Sequence, residues 1–231
     1  MAFLGLFSEV SAEPLGNVPT PIDHLVTARD LHRFGAGVYG GTTKRGIEID
    51  GLRGERELKG DSIMAYVSFY PLTWVSAYAA GGYARYGLSD AMGGYGPRDS
   101  QWAFGARVNL LDHDVADPWI FEDRVRLTAN VHYGMQDAEI GNHGTYEWSE
   151  LKSSIMVSLV NDVVGNKLFL PLTISLYAGP VYSVLGGDLN ETEEFGFAGG
   201  LQTQLSVHTA LSVGVEDLDG TSVLASLDVR F

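Results

Sequence analysis

Hydrophobic and polar residues alternate strictly along three long stretches of this chain. In Val125 to Met135 the odd positions are Val125, Leu127, Ala129, Val131, Tyr133 and Met135, and the even ones Arg126, Thr128, Asn130, His132 and Gly134. Leu172 to Tyr182 sets Leu172, Ile174, Leu176 and Ala178 against Thr173, Ser175, Tyr177 and Gly179. Phe195 to Val207 sets Phe195, Phe197, Leu201 and Leu205 against Gly196, Gly200, Gln202 and Gln204. Period two over this length excludes a helix, because successive side chains of a strand point to opposite faces. Fitting the remaining chain around these segments predicts ten strands, at 32–42, 60–70, 74–86, 100–110, 124–136, 146–160, 168–184, 194–207, 210–216 and 221–231. Glycine, asparagine, aspartate and proline collect between them, as turns require. The links at 43–59, 87–99, 137–145, 185–193 and 217–220 are polar and glycine-rich. Those at Pro71-Leu72-Thr73 and His208-Thr209 are tight, while 111–123 and 161–167 are longer. An even strand count with the two classes of link at opposite ends predicts an all-β fold, a closed antiparallel up-and-down barrel.

One segment invites a different reading. Ile63 to Ala84 runs 22 residues without a charge, long enough for a membrane-spanning helix. Pro71 sits in its middle, followed by a Gly81-Gly82 pair and surrounded by tyrosine and tryptophan. Two strands joined at Pro71-Leu72-Thr73 fit better.

Alternation by itself does not say which face meets water, since a soluble ligand-binding barrel alternates too. Three features point to a lipid exterior. The polar face carries Arg33, Arg107, Arg124, Arg126, Glu150, Lys152, Glu216, Asp228 and Arg230 among small residues, which suits a hydrated lumen. Aromatic residues gather toward strand ends: Phe34, Phe69, Trp74, Phe169 and Phe231 at one rim, Tyr83, Trp102, Tyr133, Trp148, Tyr182 and Phe195 at the other. Girdles of rings at both membrane–water interfaces are expected of transmembrane barrels. The strand lengths match the ~9–11 tilted residues that cross a bilayer.

Composition narrows the partners. A net charge of −14 lacks the basic stripe that nucleic-acid binding needs. With no cysteine among 231 residues there is no disulfide framework and no thiolate metal site. At the N-terminus, the apolar run Ala2–Phe7 and the small-residue spacing of Val10-Ser11-Ala12 resemble the end of a signal peptide lacking its basic region. Residues 1–12 are therefore expected to be removed, with maturation near Glu13, a periplasmic segment over 13–31 and a barrel over 32–231.

The C-terminal strand is the strongest local motif. Val223, Ala225, Leu227, Val229 and Phe231 share one face, and the chain stops on the aromatic. This resembles the terminal strand of bacterial outer-membrane proteins, and the pattern over 32–231 resembles the small OmpA-like and OmpX-like barrels. The resemblance implies residence in the outer membrane of a Gram-negative cell, contact with its lipid, and recognition of the terminal strand by the barrel-assembly machinery.

Candidate chemistry is sparse. The inward arginines, with Glu150, Glu216 and Asp228, make either a basic constriction favouring anions or a paired network that fills and stiffens the lumen. A barrel of ten strands is only modestly wider than one of eight, whose side chains fill its interior, and this favours the network. A hairpin symmetric about residue 141 would set His132 opposite Glu150, with Ser154 near on the same face. Outer-membrane lipid hydrolases use such sets, but the local signatures of the deacylase, phospholipase and omptin families are missing, so a cross-strand polar pair is expected. Asp188, Glu191, Glu193 and Glu194 in one loop, and Asp112, His113, Asp114 and Asp117 in another, read as solvated loops rather than metal sites. No catalytic residue, metal or cofactor is expected. The functional expectation is an integral barrel with a structural or surface role, or one passing small solutes; the rivals are an outer-membrane enzyme acting on lipid or peptide and a soluble ligand-binding barrel.

Overall fold

Adjacent strands pair antiparallel all the way round the chain and close on themselves. A computed structural model describes residues 33–49, 54–72, 74–89, 94–115, 123–140, 144–162, 173–206 and 208–231. The signal-like segment, the stretch 13–31 and Phe169 lie outside them. The strands are β1 (Phe34–Ile49), β2 (Arg56–Leu72), β3 (Val75–Leu88), β4 (Asp99–Val115), β5 (Asp123–Glu139), β6 (Thr145–Asp162), β7 (Thr173–Gly187), β8 (Leu189–Glu191), β9 (Phe195–Gln204), β10 (Thr209–Asp217) and β11 (Thr221–Arg230). Ten of them form the wall in chain order, and β1 pairs with β11 from Gly35↔Arg230 to Thr42↔Val223 to seal it. The three-residue β8 stands apart from that ring.

The end that carries Phe34 and Phe231, whose backbones exchange hydrogen bonds, is called lower. Outward faces between the two ends are apolar: Val38, Ile63, Phe104, Ile155, Leu176 and Leu227 all stand exposed. Exposed Phe34, Phe69, Trp74 and Phe231 mark the lower rim, and Tyr83, Trp102, Tyr133, Tyr182 and Phe195 the upper. No water-soluble fold leaves so continuous an apolar belt uncovered, and the architecture is that of a transmembrane barrel. Trp148 departs from its expected place in the girdle. It is buried inside the barrel, edge-on to Tyr86 with ring centroids 5.0 Å apart.

Above the belt the pattern turns inside out. On β5 the outward row ends at Met135 and continues as exposed Asp137 and Glu139, while the inward row passes from Gln136 to buried Ala138 and Ile140. Inside the apolar belt the interior carries the charged and hydrogen-bonding side chains together with a tyrosine and methionine ring; above it the outer face is charged and the interior is apolar. Strands β1 to β7 all rise into this upper zone, and Ile47, Leu58, Leu88, Ile140, Leu185 and Leu189 pack there as a dome-like core with Tyr86 and Trp148. β1 is consequently longer than the alternation predicts, running to Ile49 instead of residue 42, and at the lower end β4 runs to Val115 instead of 110.

Strands β9, β10 and β11 are only 10, 9 and 10 residues long, so the wall beside the tall β1 drops away above Thr42. The segment between β7 and β9 crosses to fill that step. Its β8 pairs Ile47↔Glu191, Glu48↔Asn190 and Ile49↔Leu189, and Gly46 N–H donates to the Asp219 carbonyl at 3.0 Å. An unpaired edge is thus covered, and Leu189 enters the dome fully buried. The β10–β11 turn beside it places Asp219 at φ 55° and Gly220 at φ 146°. A Cβ on Gly220 would also lie 2.5 Å from the Lys44 carbonyl, so glycine is required there twice over.

Candidate functional site

Charged side chains converge inside the lumen, and a bulge builds its lower half. Hydrogen-bond register shifts between Asn109 and Leu111 on β4, leaving Leu110 and Leu111 both facing outward. The phase change turns Asp112 inward, opposite Arg126. Arg126 donates to the Asp112 carboxylate from Nη2 at 2.5 Å and Nε at 3.1 Å, and Arg124 Nη1 lies 4.0 Å from the same oxygen. Asp112 therefore belongs to a lumen ion pair and not to a metal-like turn, and among the described residues no group of three or more His, Asp or Glu could hold a metal. Nearby, Arg230 approaches Asp228 at 3.8 Å and stacks its guanidinium 4.4 Å from the Tyr70 ring centre. Arg107 Nε donates to Asn130 Oδ1 at 3.0 Å, and Asn130 Nδ2 donates to Ser154 Oγ at 3.1 Å. Arg33 is exposed at the lower mouth with no ion pair to a described residue, so the expectation of an inward Arg33 network member does not hold.

The upper half centres on Glu150. Its Oε1 accepts from Arg45 Nη1 at 2.7 Å and Ser183 Oγ at 2.8 Å, with Lys152 Nζ at 3.5 Å. Lys152 reaches Glu216 at 2.9 Å. Two cations face two carboxylates, and the cluster is neutral. Arg45 lies beyond residue 42, where the alternation predicts that β1 ends. Extending the inward row from Tyr39 by alternate residues would have found it.

The β5–β6 hairpin turns about residue 142, since Glu139 pairs with Thr145. His132 accordingly opposes Lys152, and Glu150 opposes Gly134, correcting the register expected from a centre at 141. The His132 Nδ1 is 2.5 Å from the Tyr78 hydroxyl, while Ser154 is bonded to Asn130. His132 and Ser154 therefore do not meet as a nucleophile and its base. In the acidic loop, the Asp188 carboxylate accepts the Glu147 N–H at 2.9 Å and Glu191 accepts the Leu185 N–H at 2.6 Å. Glu194 accepts the Tyr182 hydroxyl at 2.6 Å, and Glu193 is exposed. Three of the four carboxylates hold the loop in shape.

Between the two charge clusters lies a packed ring. Tyr39, Met64, Tyr66, Met156, Tyr177 and Val181 are buried against one another, with Tyr39, Tyr66 and Tyr78 in successive ring contacts at 5.9 and 6.2 Å. The tyrosines fit because glycines face them. A Cβ on Gly37 would stand 2.5 Å from the Tyr66 ring, and one on Gly200 2.5 Å from the Tyr177 hydroxyl. Among the described residues the lumen holds a lower cavity of about 30 Å³ beside Arg107, Tyr66 and Asp228, and an upper one of about 60 Å³ beside His132, Glu150 and Trp148. Each is room for water molecules rather than a solute.

No protein-family model matches this chain. No curated protein matches it either. Solved structures of low sequence identity do. LpxR from Salmonella typhimurium aligns with a TM-score of 0.42 and 12% identity, over 86% of this chain and 99% of that one. The beta domain of the Bordetella autotransporter BrkA aligns at 0.43 and 11%, over 86% and 99%. The transport unit of the autotransporter AIDA-I from Escherichia coli aligns at 0.35 and 9%, over 92% and 94%. These neighbours are bacterial outer-membrane β-barrels.

Proposed function

We propose that this chain is an integral barrel of the bacterial outer membrane with a sealed lumen, serving a structural and surface-facing role rather than passing solutes. The observation that carries the reading is the series of obstructions along the axis: the Asp112–Arg126 cluster, the tyrosine and methionine ring, the Arg45–Glu150–Lys152–Glu216 cluster and the apolar dome. Conduction needs a continuous water path, and opening one here means separating buried ion pairs, each costing about 3–5 kcal/mol when one partner is stranded. The terminal strand Val223–Phe231, outward on alternate residues, supports recognition by the barrel-assembly machinery. The hydrolase alternative has no support, since His132 and Ser154 belong to separate hydrogen-bonded pairs.

Planar-bilayer recording of the folded protein tests the sealed lumen. Silence is expected, and steady conductance of the size of a hydrated channel would overturn it. The absence of native cysteine gives a clean background for the surface role. A cysteine at Glu193 in the upper loop should react with a membrane-impermeant maleimide on intact cells. Labelling only after lysis would reverse the orientation or remove the protein from the surface.

A further inference from the structure

Outward charge is segregated around the upper rim. On the β5–β10 side, just above the apolar belt, the described outward charges are all acidic: Asp137, Glu139, Glu147, Glu193, Glu194 and Asp217. Among the described residues the outward cations of the strands lie on three adjacent ones, Lys44 on β1, Lys59 on β2 and Arg85 on β3, interspersed with the outward carboxylates Glu48, Glu57 and Asp61. Lys44 and Arg85 stand immediately above Thr42 and Tyr83 on their strands, and Lys59 stands above Ile63 with Asp61 between them. Lys44 and Lys59 are direct cross-strand partners, and Arg85 pairs with Asp61, which places it diagonal to Lys59. Directly opposite side chains have their Cβ atoms ~5 Å apart and diagonal ones ~7–8 Å.

Two like charges directly opposite on an exposed face oppose pairing of the strands that carry them. Neither lysine contributes to the core, and Lys44 has no carboxylate within ion-pair distance among the described residues. Two of the three carboxylates are used nearby: Glu57 lies 3.6 Å from Lys59, and Asp61 lies 2.6 Å from Arg85. Arg85 is further held 4.7 Å over the Tyr95 ring, a guanidinium fixed in place while still partly open to its surroundings. Lys44, beside Lys59 and the held Arg85 at the height of the headgroups, leaves positive charge there for an anion anchored at that height.

We infer that Lys44, Lys59 and Arg85 form a binding surface for the phosphorylated headgroup of a lipid in the leaflet at the upper end of the barrel. The phosphate oxygens lie between the two lysines, relieving their repulsion, and the acyl chains descend along Val38, Ile63 and Tyr83. This inference rests on the transmembrane reading of the barrel.

The test compares the full chain with its Lys44→Gln/Lys59→Gln variant, folded into phosphatidylcholine vesicles with and without a bis-phosphorylated lipid A. Heat-modifiable migration gives the unfolding midpoint. In phosphatidylcholine alone the variant should match or exceed the wild type, because the like-charge pair is gone. With lipid A the wild type should gain and the variant should lose most of that gain. Lipid A retained in native mass spectrometry should fall about 25-fold, since each of the two basic residues near an anionic surface contributes about a factor of five. Inorganic phosphate at millimolar concentration should leave both proteins unchanged. A variant that gains as much as the wild type from lipid A overturns the inference, as does an equal gain from phosphate alone. Failure of the wild type to insert into either vesicle overturns the transmembrane reading and this inference with it, whereas insertion without a lipid A-dependent gain overturns this inference alone.

Discussion

Removing the Glu150 carboxylate strands Arg45 inside the barrel. The pair is 2.7 Å apart, with side chains 6% and 17% exposed. At an effective dielectric near 20 their attraction amounts to about 6 kcal/mol, and the desolvation of each ion, several kcal/mol, offsets most of it. The net worth of the pair is therefore small, but the cost of breaking it on one side is not. Glu150→Ala leaves Arg45 desolvated with only the Ser183 hydroxyl at 3.1 Å, while Lys152 keeps Glu216. The single substitution should destabilise the barrel by about 3–5 kcal/mol. The double substitution Arg45→Met/Glu150→Leu, which removes both charges and fills the space, should come within about 1 kcal/mol of the wild type. Urea unfolding from vesicles, followed by tryptophan fluorescence, measures both. A Glu150→Ala cost below about 1 kcal/mol, or a double variant as unstable as the single, would show that Arg45 finds compensation elsewhere and would refute the buried-pair argument.

Leu176→Arg on the lipid face should cost about 2–4 kcal/mol in vesicle folding, and a neutral outcome would contradict the orientation of the faces. Gly214→Ala should cost about 1–3 kcal/mol by overpacking, because its Cβ meets the Tyr177 hydroxyl while its nearest backbone atom, Gly199 O, is 3.1 Å away. Adding Tyr177→Phe should restore part of that stability, and no recovery would point to backbone strain instead. Protein recovered from membranes after expression of a full precursor should begin near Glu13, as judged by intact mass; retention of Met1 would refute processing after Ala12.

The wall was legible from the chain alone because strand alternation is local. A pleat sends neighbours to opposite faces whatever lies beside them, so Val125–Met135 and Leu172–Tyr182 declare their strands, and the turn residues between segments declare the count of ten. The terminal strand was readable for the same reason. What alternation does not contain is the medium on either side of the wall. Above the belt, Asp137 and Glu139 face water and Ala138 and Ile140 face a packed interior, so the pattern reverses sign and an expectation of apolar-outward strands ends too soon. That early stop hid Arg45 and the dome, and assigned Trp148 to the wrong face. Pairing partners decided the rest. The bulge at Leu110 that swings Asp112 inward, and the hairpin centre at 142 that sets His132 against Lys152, are properties of two strands in register rather than of either one. Strand β8 exists only because β9 to β11 are short beside β1, which leaves an edge for Leu189–Glu191 to cover. Ser175 looks roomy in the sequence as a small residue of a wet face, yet it is fully buried, because lumen space is set by what the opposite wall contributes. Local patterning determined that strands form and which way they face lipid. Closure of the sheet, by bringing residues more than a hundred positions apart such as Arg45 and Glu150 together, determined which charges meet inside the barrel.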